Sequence, residues 1–243
     1  MSLPRLYCPI PLARRAQATL PEGAAHHAAR VLRLKRGDEV RLFNGEGGEF
    51  EASIHLATKD AVIVDIGRFH EVERESPLKV CLAQAVTTGE KMDYTLQKAV
   101  ELGVARIQPL QTQRSVVRLD QERADKRRRH WQNVVISACE QSGRNTVPEV
   151  AAIVSLEEWV ATTNPETIRL MLSPFAEKSL REFAKPVAEV SLMVGPEGGF
   201  SKEEVQFAIA KGFQSARFGP RVLRTETAPL AALAAMQVLW GDV

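Results

Sequence analysis

With 243 residues, 44% of them hydrophobic and 26% charged, the chain has ordinary globular composition and length enough for one large or two ordinary domains. Its three cysteines, Cys8, Cys81 and Cys139, are odd in number and far apart, and adjacent His26 and His27 diverge, which excludes a disulfide framework and any metal-ligand spacing. The longest apolar stretch, Ala228 to Trp240, is too short to span a bilayer, and "MSLPRLYCPIPLARR" has no apolar core before its arginines, so a cytoplasmic protein with neither membrane nor metal is expected.

The net charge of +2 conceals an uneven distribution. Residues 1–36 hold seven Arg and Lys against Glu22 alone, residues 37–75 hold four against ten acids, and Arg114 to Arg144, including "KRRRH" at Lys126 to His130, holds eight against four. Either patch alone reads equally well as a solvated helix face. Two of them on a nearly neutral chain point to a polyanionic partner.

In chain order, residues 1–72 read as β-rich. "AAHHAARVLRL" has the look of a short helix, "EVRLFNGEGGEFEASIHLA" is two extended runs around a hairpin turn, and "AVIVDIGRF" is a further strand. "EVERESP", Glu71 to Pro77, is charged and closed by a proline, and marks a linker between a domain over 1–72 and another over 73–243. Beyond it strands alternate with helices, the mark of a parallel α/β layer. "KVCLAQAV" is a buried strand, "GEKMDYTLQKAVELG" an amphipathic helix ended by Gly103, "RIQPL" a strand, and about Gln121 to Gln141 a long helix. "TIRLMLSP", "EVSLMVGP" and "QSARFGP" are short strands, two of them stopped at Gly-Pro.

Four stretches could carry chemistry. "GPEGGFSKEE" joins a strand end to a helix start, with Ser201 and Glu204 as a capping box and Gly212 as the cap at the far end. Gly198 and Gly199 remove two side chains beside that start, so the motif is a turn, a backbone cradle for a ligand, or both. It is neither a Walker loop nor G-x-G-x-x-G. "FGPRVLRTETAPLAAL" runs from a strand into a helix that Thr227 can cap, and its two arginines and Glu226 read as pocket groups or as surface ion pairs. Lys91, Lys98 and Glu101 lie near one helix face, Lys98 and Glu101 as a possible i, i+3 pair. "ACEQSGRNTVPE" ends a helix with the polar cluster Glu140, Gln141, Arg144 and Asn145, ordinarily a capping arrangement.

Taken together, "GEKMDYTLQKAVELGV", "ACEQSGRNTVPE", "LMVGPEGGFS" and "FGPRVLRTETA", preceded by "HHAARVLRLKRGD", closely resemble the RsmE family of 16S rRNA uridine-N3 methyltransferases, S-adenosylmethionine enzymes of the SPOUT class. The resemblance covers essentially the whole chain. It implies a small N-terminal PUA-like β-barrel that binds RNA, a C-terminal α/β trefoil-knot domain with a parallel sheet, and a homodimer with the active site near the subunit interface. The family's cofactor pocket then falls on Leu172, Ser173 and Pro174, on Gly195, Pro196, Glu197 and Gly199, and on Phe218, Gly219, Val222, Leu223, Thr225, Thr227 and Ala228. One position departs from the family pattern: Gln113 stands where an acid is expected before Arg114.

Methylating N3 of uracil requires loss of its proton, helped by a general base or by a cation beside the charge developing on O2 and O4. Arg224 is the first candidate for that cation and Arg114, from either subunit, the second, while Glu226 is either the base or a partner of Arg224. Arg5, Arg14, Arg15, Arg30, Arg33, Lys35 and Arg36 are expected at RNA phosphates, with Lys91, Lys98 and Arg144 as further RNA contacts. The competing readings are a non-catalytic RNA-binding or ribosome-assembly protein, and the same fold acting on another RNA. A nicotinamide oxidoreductase is disfavoured by the missing G-x-G-x-x-G after the first α/β strand.

Overall fold

In the computed structural model, which describes residues 3–58, 61–115, 117, 120–186 and 189–243, the N-terminal part forms β1 (Arg5–Tyr7), β2 (Gln17–Thr19), α1 (Glu22–His26) continued by a π-helical turn (His27–Val31), β3 (Glu39–Phe43), β4 (Glu49–Ala57) and β5 (Val62–His70). They make one sheet in the order β1-β3-β4-β5-β2, with β1 parallel to β3 and the other pairs antiparallel. Alternate residues point inward, so Leu42, Ile54 and Val64 meet Leu6, Leu20 and Ala28 in a closed apolar core. Irregular pairing of β4 at Phe50/Ala52 and Ile54/Leu56 lets that strand bend around the core. The hairpin at "NGEGG" forms as expected. Gly48 is obligatory there, because its φ is +65° and a Cβ would sit 2.3 Å from the Phe69 ring.

Residues 139–147 belong to this same compact unit, which otherwise runs to Glu75. Arg5 pairs with Glu49 and donates to Arg144 O at 3.1 Å and Asn145 Oδ1 at 2.8 Å. Glu140 accepts from Tyr7 N at 3.0 Å and lies 3.1 Å from His27 Nδ1, and Arg144 pairs with Glu75. Burial lowers the Arg5 guanidinium and raises the Glu140 carboxyl from their ordinary values. Two expected RNA contacts are thereby corrected. Arg5 and Arg144 are enclosed and held by carboxylates, and separating a buried ion from its partner costs about 3–5 kcal/mol, more than a phosphate contact returns.

The second unit, residues 76–138 and 148–243, contains β6 (Lys79–Ala85), α2 (Gly89–Glu101), β7 (Arg106–Gln111), α3 (Gln121–Ser142, its last four residues counted with the first unit), β8 (Glu149–Val150), β9 (Val154–Ser155), α4 (Leu156–Thr162), β10 (Ile168–Leu172), β11 (Glu189–Val194), α5 (Lys202–Ala210), β12 (Gln214–Ala216) and α6 (Ala228–Trp240). Every strand pair is parallel, in the order β12-β10-β11-β6-β7-β8, with β9 also on β7. The strand β11 is laid between β10 and β6 although four strands separate it from β6 along the chain, an order that suits the expected SPOUT domain. Burial along β6 and β11 is nearly continuous because helices cover both faces. Cys81, Ala83, Met171 and Met193 on one face pack with Leu156, Trp159 and Val160 of α4 and Ala208 of α5.

Burial pushes the Cys8, Cys81 and Cys139 thiols up to about 12, so they act as small apolar core groups rather than nucleophiles. No helix among the described residues is long and apolar enough to cross a membrane. No group of three or more metal-ligating side chains occurs among them.

Candidate active site

Because β12, β10 and β11 are neighbours and parallel, their carboxyl ends open side by side, and a cleft of about 680 Å³ lies there. The carboxyl edge of a parallel sheet is where such folds bind ligands, since each strand hands over to a loop at that edge. The end of β10 supplies Leu172, Ser173 and Pro174, that of β11 supplies Gly195 to Gly199, and the loop from β12 to α6 supplies Phe218 and Val222 to Glu226, with Ala228 at the start of α6. Two expected members stand off the wall. Gly219 makes a turn at φ +70°, and the Thr227 N–H donates to Arg224 O at 2.9 Å. Thr227 also makes no side-chain cap, its backbone being already helical at φ −89°, ψ −39°.

The motif "GPEGGFS" does two jobs. Pro196 O accepts from Gly199 N at 2.9 Å, closing a turn in which Gly199 takes φ +66°. Phe200 folds back on Gly195, where a Cβ would lie 3.3 Å from its ring. Ser201 then opens α5 with a complete capping box, and Gly212 follows its end at φ +87°. The buried Glu204 carboxylate accepts from Ser201 N at 2.7 Å and from Gln113 N at 2.8 Å. It thus fixes the loop that carries Arg114, whose Nη1 donates to Gly198 O at 2.9 Å in the same chain. Gln113 acts there through its backbone N–H, which any residue but proline supplies.

Thr225 ties the other two loops together. Its Oγ1 donates to Gly195 O at 2.7 Å and accepts from Gln84 Nε2 at 3.3 Å. We expect Thr225→Val, which keeps the shape and deletes the hydroxyl, to lower unfolding free energy by about 1–3 kcal/mol in urea titrations, since buried Gln84 and half-buried Gly195 O both lose it. An unchanged midpoint would show that the tie is dispensable.

Lys91, expected at RNA, lines this cleft. Its Nζ is 2.9 Å from Glu197 Oε1 and 3.8 Å from Glu226 Oε2. The hydrogen bond that Lys91 donates to Glu197 raises the ammonium above its ordinary value. Burial is the largest single influence on Glu197 and works against its ionisation, but the bond from Lys91, a backbone hydrogen bond and the charge of Lys91 together leave that carboxyl below its ordinary value. Glu226 Oε2 is buried without a hydrogen-bond partner. The nearest cation to Glu226 is therefore Lys91, and among the described residues Arg224 stands on the cleft wall with no ion pair or hydrogen bond from its side chain. Lys98 is taken up by Glu101 at 2.7 Å along α2.

Arg221, the other arginine of "RVLRTE", lines the cleft as well, and so do Phe175 and Phe200, which no motif in the sequence marks as pocket residues. Phe175 is 89% exposed directly after the β10 turn, a position that "LSPF" marks only weakly. In the first unit Arg14, Arg15, Arg30, Arg33, Lys35 and Arg36 are all exposed. Arg15 and Arg33 take φ of 60° and 55°, a left-handed conformation that costs a non-glycine residue roughly 1–2 kcal/mol.

A sequence profile described as the RNA methyltransferase domain matches residues 74–237, and one described as the RNA methyltransferase PUA domain matches 20–67. A protein named ribosomal RNA small subunit methyltransferase E from Buchnera aphidicola subsp. Schizaphis graminum is 34% identical over 99% of this chain and 98% of its own length. Its namesake from Bacillus subtilis is 33% identical over 89% and 90%. Among solved structures, a Legionella pneumophila protein described as a methyltransferase in complex with the bound cofactor SAM superposes at TM-score 0.97, with 43% identity and full coverage of both chains. A ribosomal RNA small subunit methyltransferase E from Neisseria gonorrhoeae bound to S-adenosyl methionine superposes at 0.92, with 42% identity over 99% of each.

Proposed function

The chain belongs to the ribosomal RNA small subunit methyltransferase E family, and from that premise we propose that it transfers a methyl group from S-adenosylmethionine to N3 of a uridine in 16S rRNA. The observation that carries this reading is the cleft itself: a glycine-rich turn from Gly195 to Gly199 on one side and an uncommitted Arg224 on the other.

The cleft fits the cofactor. Leu172, Val194 and Leu223 give an apolar wall for a flat base, the turn closed by Gly199 leaves backbone groups free of side chains, and Lys91 beside Glu197 and Glu226 gives fixed charges for a zwitterionic tail. When bound, S-adenosylmethionine supplies the electrophilic methyl of its sulfonium. The chain's own residues deal with the uracil. As N3 gains its bond to carbon it loses its bond to hydrogen, and negative charge spreads to O2 and O4. Arg224 stabilises that charge from a fixed position, and Arg114, anchored through one nitrogen to Gly198 O, keeps further N–H donors for the same purpose. Glu226 Oε2, which has no hydrogen-bond partner and lies 3.8 Å from Lys91 Nζ, takes the proton. N3 is hidden in any Watson–Crick pair, so the target is an unpaired or flipped uridine.

The exposed arginines and lysine of the first unit support phosphate contact there. Exposed Val238 and Leu239 on α6 support the homodimer that the resemblance implies. Reduced, inert cysteines and an rRNA substrate support a cytoplasmic setting. Incubation with methyl-labelled cofactor and either small subunits or naked rRNA is expected to label 16S rRNA. Absence of cofactor binding in calorimetry would favour a non-catalytic RNA-binding protein instead.

A further inference from the structure

The run "KRRRH" is used neither by the cleft nor by the first unit; it lies on the N-terminal half of α3. On a helix of 3.6 residues per turn, Arg123, Lys126, Arg127 and His130 share one face at i, i+3, i+4 and i+7, with Arg129 beside them. All five are exposed. Arg123 pairs with Asp120 at 3.4 Å and His130 with Asp93 at 2.8 Å. Lys126, Arg127 and Arg129 have no carboxylate partner among the described residues. Like charges at these spacings repel along a helix, and an external polyanion relieves that repulsion.

The stripe borders the helix that leads to the cleft. A Cβ on Gly89 would lie 3.3 Å from Arg127 Nη1, so that guanidinium rests over the first residue of α2. Lys91, two residues further along α2, lines the cleft. His130 reaches Asp93 on the same helix. The basic face of α3 thus borders the first turns of α2, where Lys91, paired with Glu197 and flanked by Glu90 and Asp93, leads into the cleft that also holds Arg224.

We propose that this face of α3 holds the phosphate backbone of the substrate RNA next to the nucleotide that enters the cleft. The inference rests on the reading of that cleft as an rRNA methyl-transfer site. RNA fits the stripe because phosphates repeat along the strand and ask for cations rather than for shaped pockets, and because the stripe leads to where the target nucleotide must arrive.

The test is the triple variant Lys126→Gln/Arg127→Gln/Arg129→Gln in the full chain. For methyl transfer to 16S rRNA, KM is expected to rise about tenfold with kcat and cofactor affinity unchanged. The affinity advantage of wild type should shrink about twentyfold between 50 and 200 mM salt, as loss of three single-strand phosphate contacts at a slope of about −0.7 each would give. Unchanged KM and salt slope would overturn the proposal. A loss with assembled subunits but not with naked 16S rRNA would overturn it too, and assign the face to an acidic protein. Should circular dichroism show the triple variant unfolded, the single variants Lys126→Gln and Arg129→Gln decide, each expected to flatten the slope by about 0.7. Wild-type protein that binds RNA but transfers no methyl counts against the reading of the cleft, while the binding arm still decides the role of α3.

Discussion

Arg224→Ala is expected to lower the rate of methyl transfer to rRNA by about 10²–10³-fold while leaving the affinity for S-adenosylmethionine within a few-fold of wild type. The guanidinium lines the cleft and is claimed by no carboxylate among the described residues, so its whole charge is available to the reacting uracil. Its removal also disturbs little else: Arg224 is exposed, and its links to the fold are backbone ones, Arg224 O accepting from Thr227 N and Ala228 N at 2.9 Å each. The loss should therefore fall on kcat. Arg224→Lys, which keeps a charge without the planar fork, should recover part of it. A rate within a few-fold of wild type, with cofactor binding intact, would transfer the role to Arg114.

Gly199→Val is expected to weaken cofactor binding by at least about a hundredfold in a protein that stays folded, since filling a ligand's space forces displacement of loop or ligand. A Cβ on Gly199 meets no protein atom within 4 Å, so the added groups enter the cleft that this residue lines. Its φ of +66° adds a second penalty, because a β-branched residue resists the left-handed region. Gly219→Val separates the two effects. Gly219 has φ +70° but stands off the cleft wall, and should suffer the strain and keep the cofactor. Equal loss of binding in both variants would make backbone strain, not occlusion, the cause.

What the sequence made legible were local rules. Ser201 with Glu204 reads as a capping box from its spacing, and the structure has it complete. The strands that halt before "SP" and "GP" mark where the cleft opens, because a chain broken at a set point leaves loops at one edge of a parallel sheet. Contacts between distant residues were not legible. Counting charges put Arg5 in an RNA-binding patch, but Glu49, 44 positions away, neutralises it. Lys91 looked like a surface cation on an amphipathic helix until Glu197, 106 positions on, drew it into the cleft. Thr227 has the residue type of a cap, but its helical backbone leaves the side chain unused. The return of residues 139–147 to the first unit depends on buried ion pairs and hydrogen bonds that no periodicity encodes.

In the proposed reaction the methyl group is placed on N3 of an unpaired uridine. Digestion of the methylated 16S rRNA to nucleosides, followed by mass spectrometry against authentic standards, tests it most directly. The expected labelled product is 3-methyluridine, lost in the Arg224→Ala protein. Label in 5-methyluridine or in a ribose 2′-O-methyl group would contradict it, since neither product requires an imide proton to leave beside a fixed cation.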